Sequence, residues 1–133
     1  MKSYTDISQS KKLAEILPLE SADMRYGYTA PYDYSDRMYD GGYDEIPYPK
    51  DFLIKNPNYT ADEYDAELPC WPLSALLGVL PLPALVQDKA DNKLFWQCST
   101  YEEDGTLLCE TYGNNPVDAC VAMVEKLNEL NLL

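Results

Sequence analysis

The chain has 133 residues, of which 46% are hydrophobic, and this suffices for one domain with a modest core. Its 23 acidic residues outnumber its 10 basic residues and give a net charge of −13. We therefore expect no direct binding to nucleic acid or to an anionic membrane, because both depend on clustered Lys and Arg. Histidine is absent, which excludes histidine-dependent catalytic triads and most zinc sites.

The stretch before residue 26 predicts a short helix. Asp6 and Gln9 have the spacing of a capping box, in which each side chain binds a free backbone N–H group at the helix start. An apolar stripe of helical period and a terminating proline follow, at Leu13, Ile16, Leu17 and Pro18. This region lacks the continuous apolar stretch of a signal peptide, so we expect a cytoplasmic protein.

Residues 26–71 are rich in tyrosine and poor in aliphatic residues. This composition does not favour a separate core, so we expect a long, mostly irregular segment that lies over the main core. Within it, Pro47-Tyr48-Pro49 predicts locally extended chain, and a capping box formed by Thr60 and Glu63 predicts a short helix through Asp65. Nine of the twelve tyrosines lie in this segment: Tyr26, Tyr28, Tyr32, Tyr34, Tyr39, Tyr43, Tyr48, Tyr59 and Tyr64.

Two more helices are predicted in residues 72–133. Pro72 suits the first turn of a helix that Pro81 ends, and one face of this helix carries Leu73, Leu76, Leu77 and Leu80. The last helix starts with Asn115 as N-cap and Pro116 in its first turn, and no breaker intervenes before Leu130. We expect it to lie across a sheet with a buried stripe of Val117, Cys120, Val121, Val124 and Leu127.

Between these helices the pattern predicts an antiparallel hairpin. Residues 93–101 and 106–112 alternate like strands and flank the turn sequence Glu-Glu-Asp-Gly at 102–105. Residues 84–87 predict a third strand, with residues 88–92 as the turn between them. The hairpin face expected to be buried carries Leu94, Trp96, Cys98, Thr100, Leu107, Cys109 and Thr111.

The four cysteines are expected to be free thiols, most of them buried. They show no close ligand pair that would indicate a metal site. With a four-residue loop in the hairpin, Cys98 and Cys109 would lie directly opposite each other, so a cross-strand disulfide is an alternative. Core packing is favoured, because no basic neighbour is present to lower the pKa of either thiol.

Together these elements predict one domain over residues 1–133 with an α+β fold. A small two- or three-stranded antiparallel β-meander is packed by a C-terminal helix and two short N-proximal helices, with the long Tyr-rich segment outside them. The most apolar stretch, residues 71–86, is interrupted by three prolines and is too short to span a bilayer. No membrane interaction is expected.

Three segments are distinctive as sequence: residues 12–24 (KLAEILPLESADM), residues 69–81 (PCWPLSALLGVLP) and residues 115–133, which begin NPVDAC. Together they resemble small uncharacterised proteins from prophages and mobile elements of gut bacteria. The resemblance implies no activity, cofactor or catalytic residue, since none is established for that family. The chain departs from the family pattern at Pro72, where a Ser-like cap is expected, and in its Tyr-rich segment.

The Tyr-rich segment is the candidate partner-binding surface, because a tyrosine ring offers a rigid apolar body with a polar tip. The alternative is that its rings only cover a small core. No catalytic residue, metal or cofactor is expected, and the acidic runs at 40–45 and 62–67 do not match the spacing of a calcium loop. The predicted partner-binding residues are Tyr32, Tyr34, Tyr39, Tyr43 and Tyr48.

Two classes of function follow from these observations. We expect a non-enzymatic accessory protein of a phage or mobile element that acts by binding another protein. The alternative is an acidic mimic of DNA that inhibits a host DNA-binding protein, since −13 on a chain of this length suits that role. A mimic requires carboxylates on one continuous face, whereas a protein-binding module of this kind requires exposed tyrosine clusters ringed by charge.

Overall fold

The computed structural model of the protein describes residues 1–29, 32–34, 37–39, 42–43, 46–49 and 68–133, with the backbone alone at 28–29, 32–34, 37–39 and 42. The predicted α+β class is confirmed. The described helices are a 3-10 helix at Leu19–Ser21 and three α-helices, α1 (Ile7–Ala14), α2 (Leu73–Val79) and α3 (Pro116–Glu129). None of these helices is long and apolar enough to cross a lipid bilayer.

The strands in the described part of the chain are short before residue 71 and longer after residue 83. They are β1 (Met24–Tyr26), β2 (Tyr28–Thr29), β3 (Tyr32–Tyr34), β4 (Arg37–Tyr39), β5 (Gly42–Tyr43), β6 (Tyr48–Pro49), β7 (Leu68–Cys70), β8 (Ala84–Ala90), β9 (Lys93–Tyr101) and β10 (Leu107–Gly113). They form antiparallel sheets of order β10-β9-β8 and β6-β1-β7, and two ribbons pair β2 with β5 and β3 with β4.

The sheet β10-β9-β8 is the predicted meander, and its third strand is longer than expected. β8 continues to Ala90, so the turn to β9 consists of Asp91 and Asn92 alone rather than residues 88–92. Both turn residues have φ in the left-handed region, at 50° and 65°. Asp and Asn tolerate this conformation, and such two-residue turns match the twist of the strands they join.

The prediction that Cys98 and Cys109 lie opposite each other is wrong. A bulge in β10 between Leu107 and Cys109 shifts the register, so that Cys109 pairs with Thr100 and Thr111 pairs with Cys98. A bulge inserts one extra residue into one strand, and loop length alone does not reveal it. The prediction of free thiols is confirmed, with three of the four cysteines buried.

Helix α3 packs across the meander, as predicted. The Oδ1 atom of Asn115 accepts from the backbone N–H of Asp118 at 2.9 Å, which caps the helix. The Thr111 hydroxyl donates to the carbonyl of Ala119 at 2.8 Å and ties β10 to the helix. The predicted stripe is buried in full: Val117, Cys120, Val121, Val124 and Leu127.

Two leucines of the hairpin face that was expected to be buried are exposed. Leu107 is 47% exposed because the bulge pairs it with Tyr101, on the face turned away from α3. Leu94 is 61% exposed and pairs with Lys89 near the far turn of the meander. The covered part of the face is therefore centred on Cys98 and the second half of β9.

Helix α1 begins as predicted and ends earlier. The capping box is present, since Asp6 Oδ1 accepts from the backbone N–H of Gln9 at 2.8 Å and the Gln9 side chain accepts from the backbone N–H of Asp6 at 3.1 Å. The helix ends at Ala14, four residues before Pro18, with Glu15 as its C-cap. A tighter turn follows and carries Leu17 into the core.

Helix α2 starts directly after Pro72, which supplies no side-chain cap. The backbone N–H of Leu73 instead donates to the carbonyl of Ser3 at 3.1 Å. A neighbouring segment of backbone therefore satisfies one of the free N–H groups that a capping side chain normally binds.

A second, smaller cluster surrounds β1 and was not anticipated from the sequence. Tyr26, Leu68 and Cys70 are buried there, in the sheet β6-β1-β7. The Tyr26 hydroxyl donates to the carbonyl of Thr5 at 2.8 Å. The predicted extended conformation at Pro47-Tyr48-Pro49 is confirmed by β6, and the predicted helix near Thr60 lies outside the described residues.

Candidate functional site

The first three of the predicted partner-binding tyrosines lie on one ribbon. The register of β3 and β4 pairs the Cα atom of Tyr32 with that of Tyr39, and the Cα atom of Tyr34 with that of Arg37. The side chains of these residues lie outside the described part of the structure. Their backbones are thus brought together, and a role in binding stays a prediction.

Tyr43 and Tyr48, the other two predicted residues, are described with their side chains and are half-buried. The Lys11 ammonium lies 5.6 Å from the centroid of the Tyr43 ring, which is a cation–π contact between α1 and β5. Tyr43 also packs against the small cluster around β1. The covering role fits Tyr43, and the binding role of both residues stays a prediction.

Three of the four cysteines are buried, and two of these lie close together. Cys98 and Cys120 have their Sγ atoms 4.0 Å apart inside the core. The contact with Cys98 and burial raise the pKa of the Cys120 thiol, so this thiol stays protonated. Among the described residues no group of cysteine and acidic side chains has the arrangement of a metal site.

An apolar depression lies where the ends of three helical segments meet. It has a volume of about 480 Å³. An apolar side chain of another molecule that packs into this depression would lose its contact with water. We call it the apolar groove, and it is lined by Leu17, Pro18, Val79, Leu80, Pro81, Leu132 and Leu133.

Helix-ending signals in the sequence build the groove. Pro18 follows the turn after α1, and Pro81 follows the end of α2. After α3, Asn131 adopts φ 57°, and the backbone N–H of Leu132 donates to the carbonyl of Leu127 at 2.9 Å. This is the hydrogen bond of a Schellman motif, which turns the chain back against its helix. Leu132 and Leu133 are thereby held at the groove.

Exposed leucines lie both in the lining of the groove and next to it in the sequence. Leu132 and Leu133 are 49% and 47% exposed, and Leu19 and Leu82, next to the lining prolines, are 51% and 56% exposed. Leu82 also has φ 40°, a left-handed conformation that costs a non-glycine residue roughly 1–2 kcal/mol. Strain of this kind and exposed leucines both concentrate at binding surfaces.

A second depression, of about 400 Å³, lies beside the apolar groove. It runs between the end of α1 and the last two turns of α3 and contains three glutamates and one lysine. Its formal charge is therefore −2. We call it the acidic cleft, and it is lined by Lys12, Glu15, Ile16, Glu125, Asn128 and Glu129.

The sequence reasoning missed both depressions. Leu132 and Leu133 follow the last predicted helix and Asn131. An asparagine just after a helix end is typical of a turn that folds the chain back against its helix, and this signal could have located the two leucines. The position of Pro18 opposite Pro81 depends on how α1 and α2 pack together. Such tertiary proximity is not contained in local spacing.

Comparisons of the chain with protein-family models, with curated proteins and with solved structures gave no match. The resemblance to proteins of prophages and mobile elements therefore stays a prediction. The function must be inferred from the geometry of the molecule itself.

Proposed function

We propose that the protein is a non-enzymatic accessory protein of a phage or mobile element and that it acts by binding another protein. The apolar groove is the observation that carries this proposal. Leu132 and Leu133 line this depression and Leu82 follows its lining residue Pro81, and all three are about half exposed, so apolar surface is available there for a partner to cover. The link to phages and mobile elements rests on the sequence resemblance of three segments.

The groove by itself supplies a modest affinity. Burying a leucine fully contributes about 1.5–3 kcal/mol, so covering a side chain that is half exposed contributes roughly 1 kcal/mol. Three such leucines contribute roughly 3 kcal/mol, which is less than the free energy of a millimolar complex at about 4 kcal/mol. Binding must therefore also use anchors of the partner and polar contacts beside the groove.

The alternative, a mimic of DNA charge, gains less support from the described carboxylates. Asp88 and Asp91 lie at one end of the meander, and Glu102, Glu103 and Asp104 lie at the turn at its other end. β9 separates these ends by nine residues, or about 30 Å. The acids are thus distributed over separate parts of the molecule, whereas a mimic needs one continuous face.

Site-specific photo-crosslinking in the native host tests the protein-binding function. A photoreactive amino acid is placed at Leu133 in the groove, at Tyr48 in the tyrosine segment, or at Asp88 on β8 as the control, an exposed residue on the sheet face turned away from α3. We expect one protein to crosslink at position 133 and not at position 88, with mass spectrometry to identify it.

The outcomes separate the two candidate surfaces. A crosslink at position 48 alone would support the protein-binding function and move its surface to the tyrosine segment. Crosslinks at neither 133 nor 48 above the level at 88 would contradict the function.

A further inference from the structure

We propose that the apolar groove and the acidic cleft together bind one amphipathic helix that has a leucine-rich ridge and basic side chains beside it. This rests on the protein-binding function and specifies the chemistry of the partner. Three features of the site support it: the two depressions adjoin, the cleft carries a net negative charge, and helices with the turns that follow them line both.

The groove and the cleft are bordered by the same two segments of chain. Ile16 lines the cleft and the next residue, Leu17, lines the groove. On the other side, Glu129 lines the cleft and Leu132 lines the groove. Glu125 to Glu129 covers about 6 Å of α3, so a single segment of the partner is long enough to contact both depressions.

The charge of the cleft selects a basic partner. Glu15 and Glu129 are exposed and Glu125 is half-buried, while Lys12 is the one cation among the lining residues. Exposed ion pairs contribute about 0.2–1 kcal/mol each, so three pairs raise the affinity of a correct partner modestly. Their larger effect is on selectivity, because an acidic segment is repelled.

The lining favours a helix over an extended peptide. Its residues belong to α1, α2, α3 and the turns that follow them, and none belongs to a strand. An extended peptide gains most of its affinity by pairing with the edge of a sheet, and no strand residue lines these two depressions. A helix instead places apolar anchors three and four residues apart into an apolar groove, with basic residues on the flank.

Fluorescence anisotropy with three synthetic helical peptides, each about four turns long, tests the inference. The first carries Leu at positions i, i+3, i+4 and i+7 and Lys at the exposed positions. The second replaces every Lys with Glu, and the third replaces every Leu with Ser. We expect the Leu/Lys peptide to bind at least about tenfold more tightly than either of the others, a difference of about 1.4 kcal/mol.

Two charge-reversal variants separate local recognition from attraction by net charge. Glu125→Lys/Glu129→Lys changes the cleft, and Asp88→Lys/Glu110→Lys changes two exposed residues on the sheet face turned away from α3 by the same total charge. At physiological ionic strength, charges beyond about 8 Å are largely screened. We therefore expect about tenfold weaker binding of the Leu/Lys peptide to the first variant and less than about twofold weaker binding to the second.

Equal loss in both variants would overturn the inference, because net charge would then explain the binding. Equal affinity for the Leu/Lys and Leu/Glu peptides would overturn it as well. Neither result would contradict a crosslink to a partner at position 133. The protein-binding function would then be retained, and the inference that the partner presents a basic helix would be rejected. Circular dichroism checks that each variant is folded. We expect the Glu125→Lys/Glu129→Lys variant to fold, because a cation near the C-terminal end of a helix interacts favourably with the helix dipole.

Discussion

The core beneath the meander and the small cluster around Tyr26 exclude water by different means. The large core packs aliphatic side chains from three helices against one sheet face, and it contains Trp71, Met123 and Leu127 with no exposed surface. The small cluster has three buried hydrophobic residues and gains order from hydrogen bonds to the backbone of Thr5. Apolar area therefore dominates the first region, and satisfied polar groups contribute a larger share in the second.

The first residues of the chain join the two regions. The backbone N–H of Thr5 donates to the carbonyl of Trp71 at 3.0 Å, and the Thr5 hydroxyl accepts from the backbone N–H of Trp71 at 3.0 Å. Cys70, the residue before Trp71, belongs to the small cluster, while Trp71 belongs to the large core. The comparison predicts that damage at Trp71 affects both regions.

Trp71→Ala is expected to have the largest effect on stability. The substitution removes a fully buried ring and the hydrogen bond from its Nε1 to the Ser21 hydroxyl, which measures 2.9 Å. We expect a loss of about 3–5 kcal/mol in the free energy of unfolding, measured by chemical denaturation. Leu94→Ala, at a residue 61% exposed, is the control. A loss for Trp71→Ala as small as the control's would contradict the assigned core.

Gly113→Ala tests the close contact between β10 and α3. A Cβ atom at residue 113 would lie 2.5 Å from the backbone nitrogen of Ala119, so the helix would have to shift. We expect a destabilisation of about 1–3 kcal/mol, seen as a lower thermal midpoint.

Gly78→Ala is the matched control. Nothing lies within 4 Å of the added Cβ atom, and residue 78 is in α2. We expect it to stabilise the protein by about 0.5–1 kcal/mol, because alanine favours helix over glycine. Equal effects of the two substitutions would show that α3 does not pack on β10 at this distance.

Tyr26→Phe tests the role of hydrogen bonds in the small cluster. The Tyr26 ring is 2% exposed, and burial raises the pKa of its hydroxyl well above the ordinary value, so it is a donor at all physiological pH values. Losing its bond to the Thr5 carbonyl is expected to cost about 1–2 kcal/mol in the free energy of unfolding. Tyr112→Phe, at an exposed tyrosine on β10, is expected to leave stability unchanged. A Tyr26→Phe protein of unchanged stability would contradict the account of this cluster.

Lys2→Met is expected to have the smallest effect and to depend on pH. Partial burial raises the pKa of the Asp6 and Asp118 carboxyl groups, but hydrogen bonds outweigh it and lower both pKa values. Asp118 accepts from the side chains of Lys2 and Gln9. Asp6 accepts from the backbone N–H of Gln9 and from Lys2. Their stabilisation is present above the unfolded value near 3.8 and is lost as the pH falls through the lowered pKa values.

Denaturation of the wild type and Lys2→Met between neutral and acidic pH measures this effect. We expect the variant to lose up to about 1 kcal/mol at neutral pH and to show a shallower fall below about pH 5. Lys89→Met, at an exposed residue of β8, is the control for the lost charge. Parallel pH curves for wild type and Lys2→Met would exclude the contribution of these ion pairs.

The sequence allowed the large core to be predicted better than the small one. The stripe of α3, the caps at Asp6 and Asn115 and the order of the meander follow from local spacing and turn residues, and each is confirmed. The sheet β6-β1-β7 joins strands of two or three residues that are far apart in the chain. Such short strands show no periodicity, so tertiary contact determines them.

The candidate site was harder to predict for the same reason. The sequence placed the binding surface on the tyrosines, a prediction based on composition alone. The apolar groove depends on residues near Leu17, Leu80 and Leu132 meeting in space, and each of them reads locally as the end of a helix. The β-bulge near Leu107 also could not be predicted from local spacing, since one extra residue in β10 changes which side chains of β9 and β10 face each other.

The affinity of the crosslinked partner for two leucine variants tests the central claim most directly. Leu133 in the groove is 47% exposed and Leu94 on the meander is 61% exposed, so Leu133→Asp and Leu94→Asp introduce the same charge at similarly exposed positions. With the purified partner in a titration, we expect Leu133→Asp to weaken binding at least about tenfold and Leu94→Asp by less than about twofold. Equal affinities of the two variants would contradict the groove as the binding surface.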